Sequence, residues 1–234
     1  MALPKLNDTP QYDLVIPSTQ KEIKYRPFLV KEQKILLLAG ESQDKRAVLR
    51  AIMDTIESCA ENVDMSSLTT YDVDYVFTMI RTKSVGETSK LNMYCAECEH
   101  ENEVNVRLDD LEVVGEIQDN EIKLTDDITV KMKHPSYDYF LQNTITDDTP
   151  QTEVMMELLI NCIDTVATDD EVVSIKDEPR EEVKAFIDSL TASQFEKLTS
   201  YLEHMPSIRK KVDFYCEKCN HHNERELKGL DDFF

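Results

Sequence analysis

A short cysteine motif occurs twice in the chain, and its spacing constrains the fold more than any other feature. Residues 94–103 read YCAECEHENE and residues 215–224 read YCEKCNHHNE. The two share Tyr, Cys, Cys, His, Asn and Glu in the same order, with two residues between the cysteines. A C-x-x-C turn lets two thiolates face one cation, and a tetrahedral zinc ion needs four such ligands. Each motif supplies two. Cys95 and Cys98 with Cys216 and Cys219 therefore compose one four-thiolate site, expected to hold a structural Zn2+ and to tie the middle of the chain to its end.

The repeat extends beyond the cysteines. Tyr94 and Tyr215 lie 121 residues apart, and the same shift superposes Thr70 on Thr191 without a gap. Between those points both copies carry an apolar-periodic run, a basic-polar linker and a strand-like approach, KLNMY in one and KVDFY in the other. Self-similarity of this kind marks an internal duplication. It predicts a first repeat over 1–110 and a second over 111–234, each made of a hairpin, helices and a C-x-x-C knuckle, with the halves packed together. The expected fold class is α+β: helical bundles with short β-hairpins and two knuckles joined in a zinc-ribbon-like site.

Local patterns fill in the elements. Residues 11–30 read as a β-hairpin, with DLVI and EIKYRPF flanking a Pro-Ser-Thr-Gln turn, and Pro27 confines the second strand to an edge or ends it. A helix follows over 31–41, where the run Ile35–Leu38 is wide enough to be buried on several sides. Residues 44–59 form the clearest amphipathic helix, through Val48, Leu49, Ile52, Met53 and Ile56. The next spans 69–84, capped by Thr69 or Thr70, with Val73, Val76, Phe77 and Ile80 on one face and Gly86 after its end. In the second copy short strands are expected between 112 and 133, then helices over 136–143 and 151–164. A hairpin in VATDDEVVSI follows, then a helix from Pro179 to Leu190. The last helix runs to His204, with Ser193 and Glu196 at capping-box spacing. The acidic, strand-rich segment near 108–128 is the expected boundary between halves.

Composition narrows the function. A chain of 234 residues, 41% hydrophobic, can bury a sizeable core. Its net charge of −21 repels phosphate backbones and anionic membranes, so neither nucleic acid nor stable membrane insertion is expected. No apolar run approaches the roughly 20 residues of a membrane-spanning helix. The residues after Met1 lack the apolar core of a signal peptide, so the six cysteines are read as reduced thiols. Cys59 and Cys162, at the apolar ends of helices, are small buried hydrophobes.

Zinc has two rivals at the knuckles: redox thiols and metal-free turns. A redox C-x-x-C wants a low-pKa thiol at a helix N-terminus, whereas here Glu97, Glu99 and Glu217 crowd the pairs and no helical pattern follows either. His100 and His221 stand two residues beyond each second cysteine. A ribbon knuckle directs that position along the outgoing strand, as a surface or supporting group; ligation by either stays open. No Gly-rich phosphate loop, nucleophile elbow or paired histidine is present, so no catalytic residue and no enzyme is expected.

The run IPSTQKEIKYRPFLVKEQKILLLA (16–39), then LTTYDVDYVFTMIRTKSVGE (68–87) and the YCAEC knuckle, resembles one family. It is similar to the baseplate hub subunit and hub assembly proteins of T4-like contractile-tailed bacteriophages. The likeness covers the first hundred residues with specific strings and the second half mainly through its knuckle. It implies a virion-morphogenesis protein made in the host bacterial cytoplasm. It further implies a role at the centre of the tail baseplate, beside hub, spike and tape-measure proteins, either in the particle or as an assembly factor. A zinc-ribbon adaptor contacting nucleic acid or transcription machinery is the alternative. Charge separates them, because such adaptors place Lys and Arg around the knuckle, and here Glu97, Glu99, Glu101 and Glu103 do so. For contacts with partners the hairpin at 11–30 is preferred, with 20–28 as its working edge, over the terminal Asp231–Phe234, which frays or folds back on its own knuckle.

Overall fold

The computed structural model describes residues 9–42, 44–115, 119–137, 141 and 150–233. Among them are six α-helices and four small antiparallel sheets, an α+β composition. The helix expected over 136–143 falls largely outside the described residues. Two compact units divide the chain, one formed by 1–114 together with 207–234, the other by 115–206. These units and the two repeats are different divisions. The chain leaves the first unit near the expected boundary, but it returns after Pro206, so the second cysteine hairpin belongs to the same unit as the first.

The first unit opens with a hairpin, β1 (Tyr12–Val15) and β2 (Glu22–Tyr25), to which β3 (Ala60–Glu61) adds on the far side of β2. The sheet order β1-β2-β3 places β2 in the middle. That corrects the expectation of a working edge along 20–28: β3 already occupies β2 at Lys24 and Tyr25, and the hairpin's outer strand is β1. Pro27 does end the strand. Helix α1 (Val30–Glu41) and α2 (Lys45–Cys59) pack on each other, and α3 (Thr70–Val85) packs on α2. Asp44 caps α2 by accepting from the Arg46 amide at 2.9 Å. Thr69 caps α3 in a reciprocal box with Asp72. The Asp72 carboxylate is fully buried and also accepts from the Ser18 amide at 2.9 Å, which pins the hairpin turn to the start of α3. Val73, Val76, Phe77 and Ile80 are buried as their spacing predicts.

Helix α1 departs from expectation. Of its residues only Glu32 and Ala39 are buried; Ile35, Leu37 and Leu38 are more than half exposed. The inward position belongs to an acid because Glu32 has partners there: Arg26 donates to it at 3.0 Å and the Leu29 amide at 2.8 Å, with Lys31 at 3.2 Å. Burial alone would raise the Glu32 carboxyl, but these donors hold it below the ordinary carboxylate range.

Two long hairpins complete the unit, β4 (Thr88–Tyr94) with β5 (Glu101–Arg107), and β11 (Ser207–Tyr215) with β12 (His222–Lys228); β6 (Glu112–Val114) pairs with β11. The second unit is a meander, β7 (Glu121–Lys123), β8 (Thr129–Met132), β9 (Ile163–Ala167) and β10 (Val172–Ser174), in sheet order 10-9-8-7. With it lie α4 (Gln151–Cys162), α5 (Arg180–Asp188) and α6 (Ala192–Glu203). Its core gathers Leu124, Val130, Met132, Leu159, Cys162, Ile163, Val183, Ile187, Leu198 and Tyr201. The cap of α6 is Thr191 with Gln194, rather than the expected Ser193 with Glu196, since Thr191 retains the extended backbone a cap requires. At Gly115 a Cβ would meet the Pro206 backbone at 2.6 Å, so only glycine lets the entering and leaving strands of this unit pass so closely.

Candidate metal centre

The knuckles are built by the backbone first. In each, the cysteine that follows the incoming strand donates its amide across the turn, Cys95 to His100 O and Cys216 to His221 O, both at 2.9 Å. The return bond runs from Glu99 N to Cys95 O at 3.0 Å and from Asn220 N to Cys216 O at 2.9 Å. Glu99 and Asn220 both take a left-handed backbone, φ 55° and 57°, which the tight turn demands. Every one of these pairs differs by 121 in residue number, and so does the strand register, Thr88↔Arg107 in one hairpin and Arg209↔Lys228 in the other.

Neither knuckle is complete alone. Asn102 and Asn223 are buried, and each serves the other hairpin: the Ala96 amide donates to Asn223 Oδ1 and the Glu217 amide to Asn102 Oδ1, both at 2.9 Å. Each asparagine also donates from Nδ2 to the histidine carbonyl of its own turn, at 2.8 Å and 3.0 Å. Reciprocal bonds of this kind bring the four thiols together. Cys95 Sγ lies 3.6 Å from Cys219 Sγ, and Cys98 Sγ lies 3.6 Å from Cys216 Sγ. All four sulfurs fall within 4.8 Å of one another, and no cysteine is disulfide-bonded. A tetrahedron with zinc–sulfur bonds of about 2.3 Å has edges of about 3.8 Å, so the sulfur spacing fits that ion.

Electrostatics points the same way. Burial would raise the Cys95 thiol, but the Cys98 and Glu97 amides, the Asn223 side chain and Cys219 bring it down to about 6. Against burial, the Cys219 and Lys218 amides and its sulfur neighbours likewise lower Cys216. At Cys219 the His221 amide bond lowers the thiol, yet the surrounding sulfurs and burial outweigh it and push it up to about 12. The cluster thus ionises readily at first and resists its last charge, the behaviour of converging anions that a divalent cation relieves. Cys59 and Cys162 behave otherwise: burial pushes them up to about 11 and about 12, as inert core thiols.

A family model described as T4 bacteriophage base plate protein matches residues 9–234. The chain belongs to that family. It is a structural component of a phage baseplate, and membership gives it other baseplate proteins as its contacts. No curated protein and no solved structure matches the chain. Among the described residues no helix is long and apolar enough to cross a membrane.

In this baseplate protein the four expected cysteines come together, and among the described residues no histidine joins the thiol group. His100 and His221 contribute through their carbonyls. His222, which has Glu101 as its counterpart, faces Asp213 at 3.7 Å and Glu224 at 4.0 Å on the exposed face of the second hairpin. Asn102 and Asn223 were visible as shared letters of the motif, but their crossed bonding needed the two hairpins side by side. Asn102→Ala and Asn223→Ala should each cost about 1–3 kcal/mol, because each deletes a buried side chain that accepts from the other hairpin's turn and donates to the histidine carbonyl of its own. Chemical denaturation measures it; a loss below that of an exposed surface change would remove the asparagines from the scaffold of the site.

The carboxyl-terminal segment folds back rather than fraying. Phe233 is fully buried and its carbonyl accepts from Ser89 Oγ at 3.1 Å. Phe234 lies outside the described residues.

Proposed function

We propose that this baseplate protein is a structural or assembly component of the central baseplate hub, and that one structural zinc, held by Cys95, Cys98, Cys216 and Cys219, closes its cysteine-bearing unit. The four-sulfur cluster carries the zinc assignment. The hub assignment rests on the strings at 16–39 and 68–87 within the matched family. Zinc here clamps two hairpins more than a hundred residues apart in the chain, so that the surfaces offered to hub, spike or tape-measure proteins stay in register. Exposed Glu97, Glu99, Glu101, Glu103 and Glu217 around the knuckles argue against a nucleic-acid adaptor. A duplication accounts for the common offset of turns, registers and asparagines. After it, the first copy's helix α3 shares a unit with its hairpin, whereas α6 and β11–β12 fall in different units.

Metal analysis of the purified protein should return one zinc per chain; a value near zero or near two removes the shared site. Complexes purified from infected cells should contain hub, spike or tape-measure proteins, and recovery of peripheral baseplate proteins alone would move the chain away from the hub.

Zinc uptake should also release protons. At neutral pH the Cys95 thiol, lowered to about 6, is already ionised, whereas Cys219, raised to about 12, must give up its proton on binding. Affinity should therefore rise with pH between about 6 and 8. Titration calorimetry in two buffers of different ionisation enthalpy reads the protons released, and equal heats in both would mean that thiols are not the ligands.

A further inference from the structure

Helix α1 carries an unusual outward face. Val30 is 78% exposed, Leu37 61%, Leu38 56% and Ile35 51%. At 100° per residue these four share one half of the helix with Lys31 and Lys34, opposite Glu32 and Ala39. The helix cannot roll to hide them. Glu32 is fastened inward by Arg26 and the Leu29 amide, and the Arg26 guanidinium is bonded in turn to Ser58 O at 2.8 Å at the end of α2. Apolar faces of this density on soluble chains mark contact surfaces.

Charge says what kind of surface covers it. Over residues 30–50, five basic side chains (Lys31, Lys34, Lys45, Arg46, Arg50) outnumber three acidic ones, in a chain of net charge −21. The stretch runs against the rest of the molecule. Two copies of a chain of net charge −21 repel one another, which disfavours a second copy of the chain as the occupant. We propose that α1 is a docking helix that seats in an apolar groove rimmed by carboxylates on a different baseplate protein. Leu37, Leu38, Ile35 and Val30 fill the groove, and Lys31 and Lys34 meet its rim, the helix-in-groove mode of recognition. This rests on the baseplate membership and not on the hub position.

A photo-crosslinking amino acid in place of Leu38, introduced during infection, tests it. The expected adduct joins α1 to a segment of another baseplate protein that combines apolar residues with Asp or Glu. An adduct to a second copy, to residues 115–206 of the same chain or to lipid overturns the proposal, as does no adduct. An adduct to a peripheral baseplate protein keeps the docking helix and defeats the hub reading; hub proteins in the complex without an α1 adduct do the reverse. In parallel, Lys34→Glu, and separately Leu37→Gln, should cut the yield of complete baseplates at least about tenfold, as loss of a contact anchor does. Lys34→Arg should not. Because these side chains are exposed, melting temperature and zinc content should stay at parental values, and normal baseplate yield from the charge-reversed or Leu37→Gln chains would overturn the proposal.

Discussion

Cys216→Ser is expected to melt far below the parent chain, whereas Cys162→Ser loses only a few degrees. Both cysteines are buried, so burial does not separate them; chemistry does. Cys216 lies 3.6 Å from Cys98 in the four-sulfur cluster and is lowered in pKa, the state in which a thiolate holds a cation. Structural zinc contributes on the order of 10 kcal/mol to folding in small peptides, and removing one thiolate forfeits much of that. Cys162 faces the apolar core of the second unit, and placing a hydroxyl there costs about 1–3 kcal/mol. A chelator should bring the parent chain down toward Cys216→Ser and leave that variant almost unmoved. Equal losses from the two substitutions would mean that no metal closes the cysteine-bearing unit.

The second large effect concerns the end of the chain. Phe233→Ala should cost about 3–5 kcal/mol, the range for deleting a fully buried phenylalanine. Phe233 is fully enclosed, and the backbone is arranged to deliver it. Gly229 turns the chain with φ 72° and its amide bonds Ile208 O at 3.1 Å, while the Lys228 amide donates to Asp232 Oδ2 at 2.7 Å. The exposed Tyr215, 65% accessible, supplies the comparison: Tyr215→Ala should stay within about 0.5 kcal/mol of the parent. Denaturant unfolding of the two variants side by side decides it, and similar midpoints would place Phe233 outside the core.

Elements whose evidence is local were legible in the sequence. The buried faces of α3, the caps at Thr69 and the ends at Gly86 and Pro27 follow from spacing and from residues whose backbone preferences are strong. The C-x-x-C hairpins were legible for the same reason, since a turn of fixed length admits few hydrogen-bond patterns. Helix α1 was misread because four consecutive apolar residues suggest burial, and nothing in the run itself says that Glu32 holds the inward place. The edge at 20–28 was misread because β3, which covers it, comes from residues 60–61, far along the chain. In α6 two overlapping capping patterns competed, and the one beginning at Thr191, ahead of Ser193, won.

By itself the sequence determined which four sulfurs can converge and that two hairpins share one design. Those properties are carried by residue type at short spacing, where the covalent chain limits the geometry. Tertiary structure alone decided that the second hairpin returns to the first unit, that Asn102 and Asn223 exchange their bonds, that Phe233 is core and that α1 turns its leucines outward. Each of these depends on which distant segment occupies the neighbouring space. Burial and crossed hydrogen bonds are properties of two surfaces together, and a linear pattern describes only one of them.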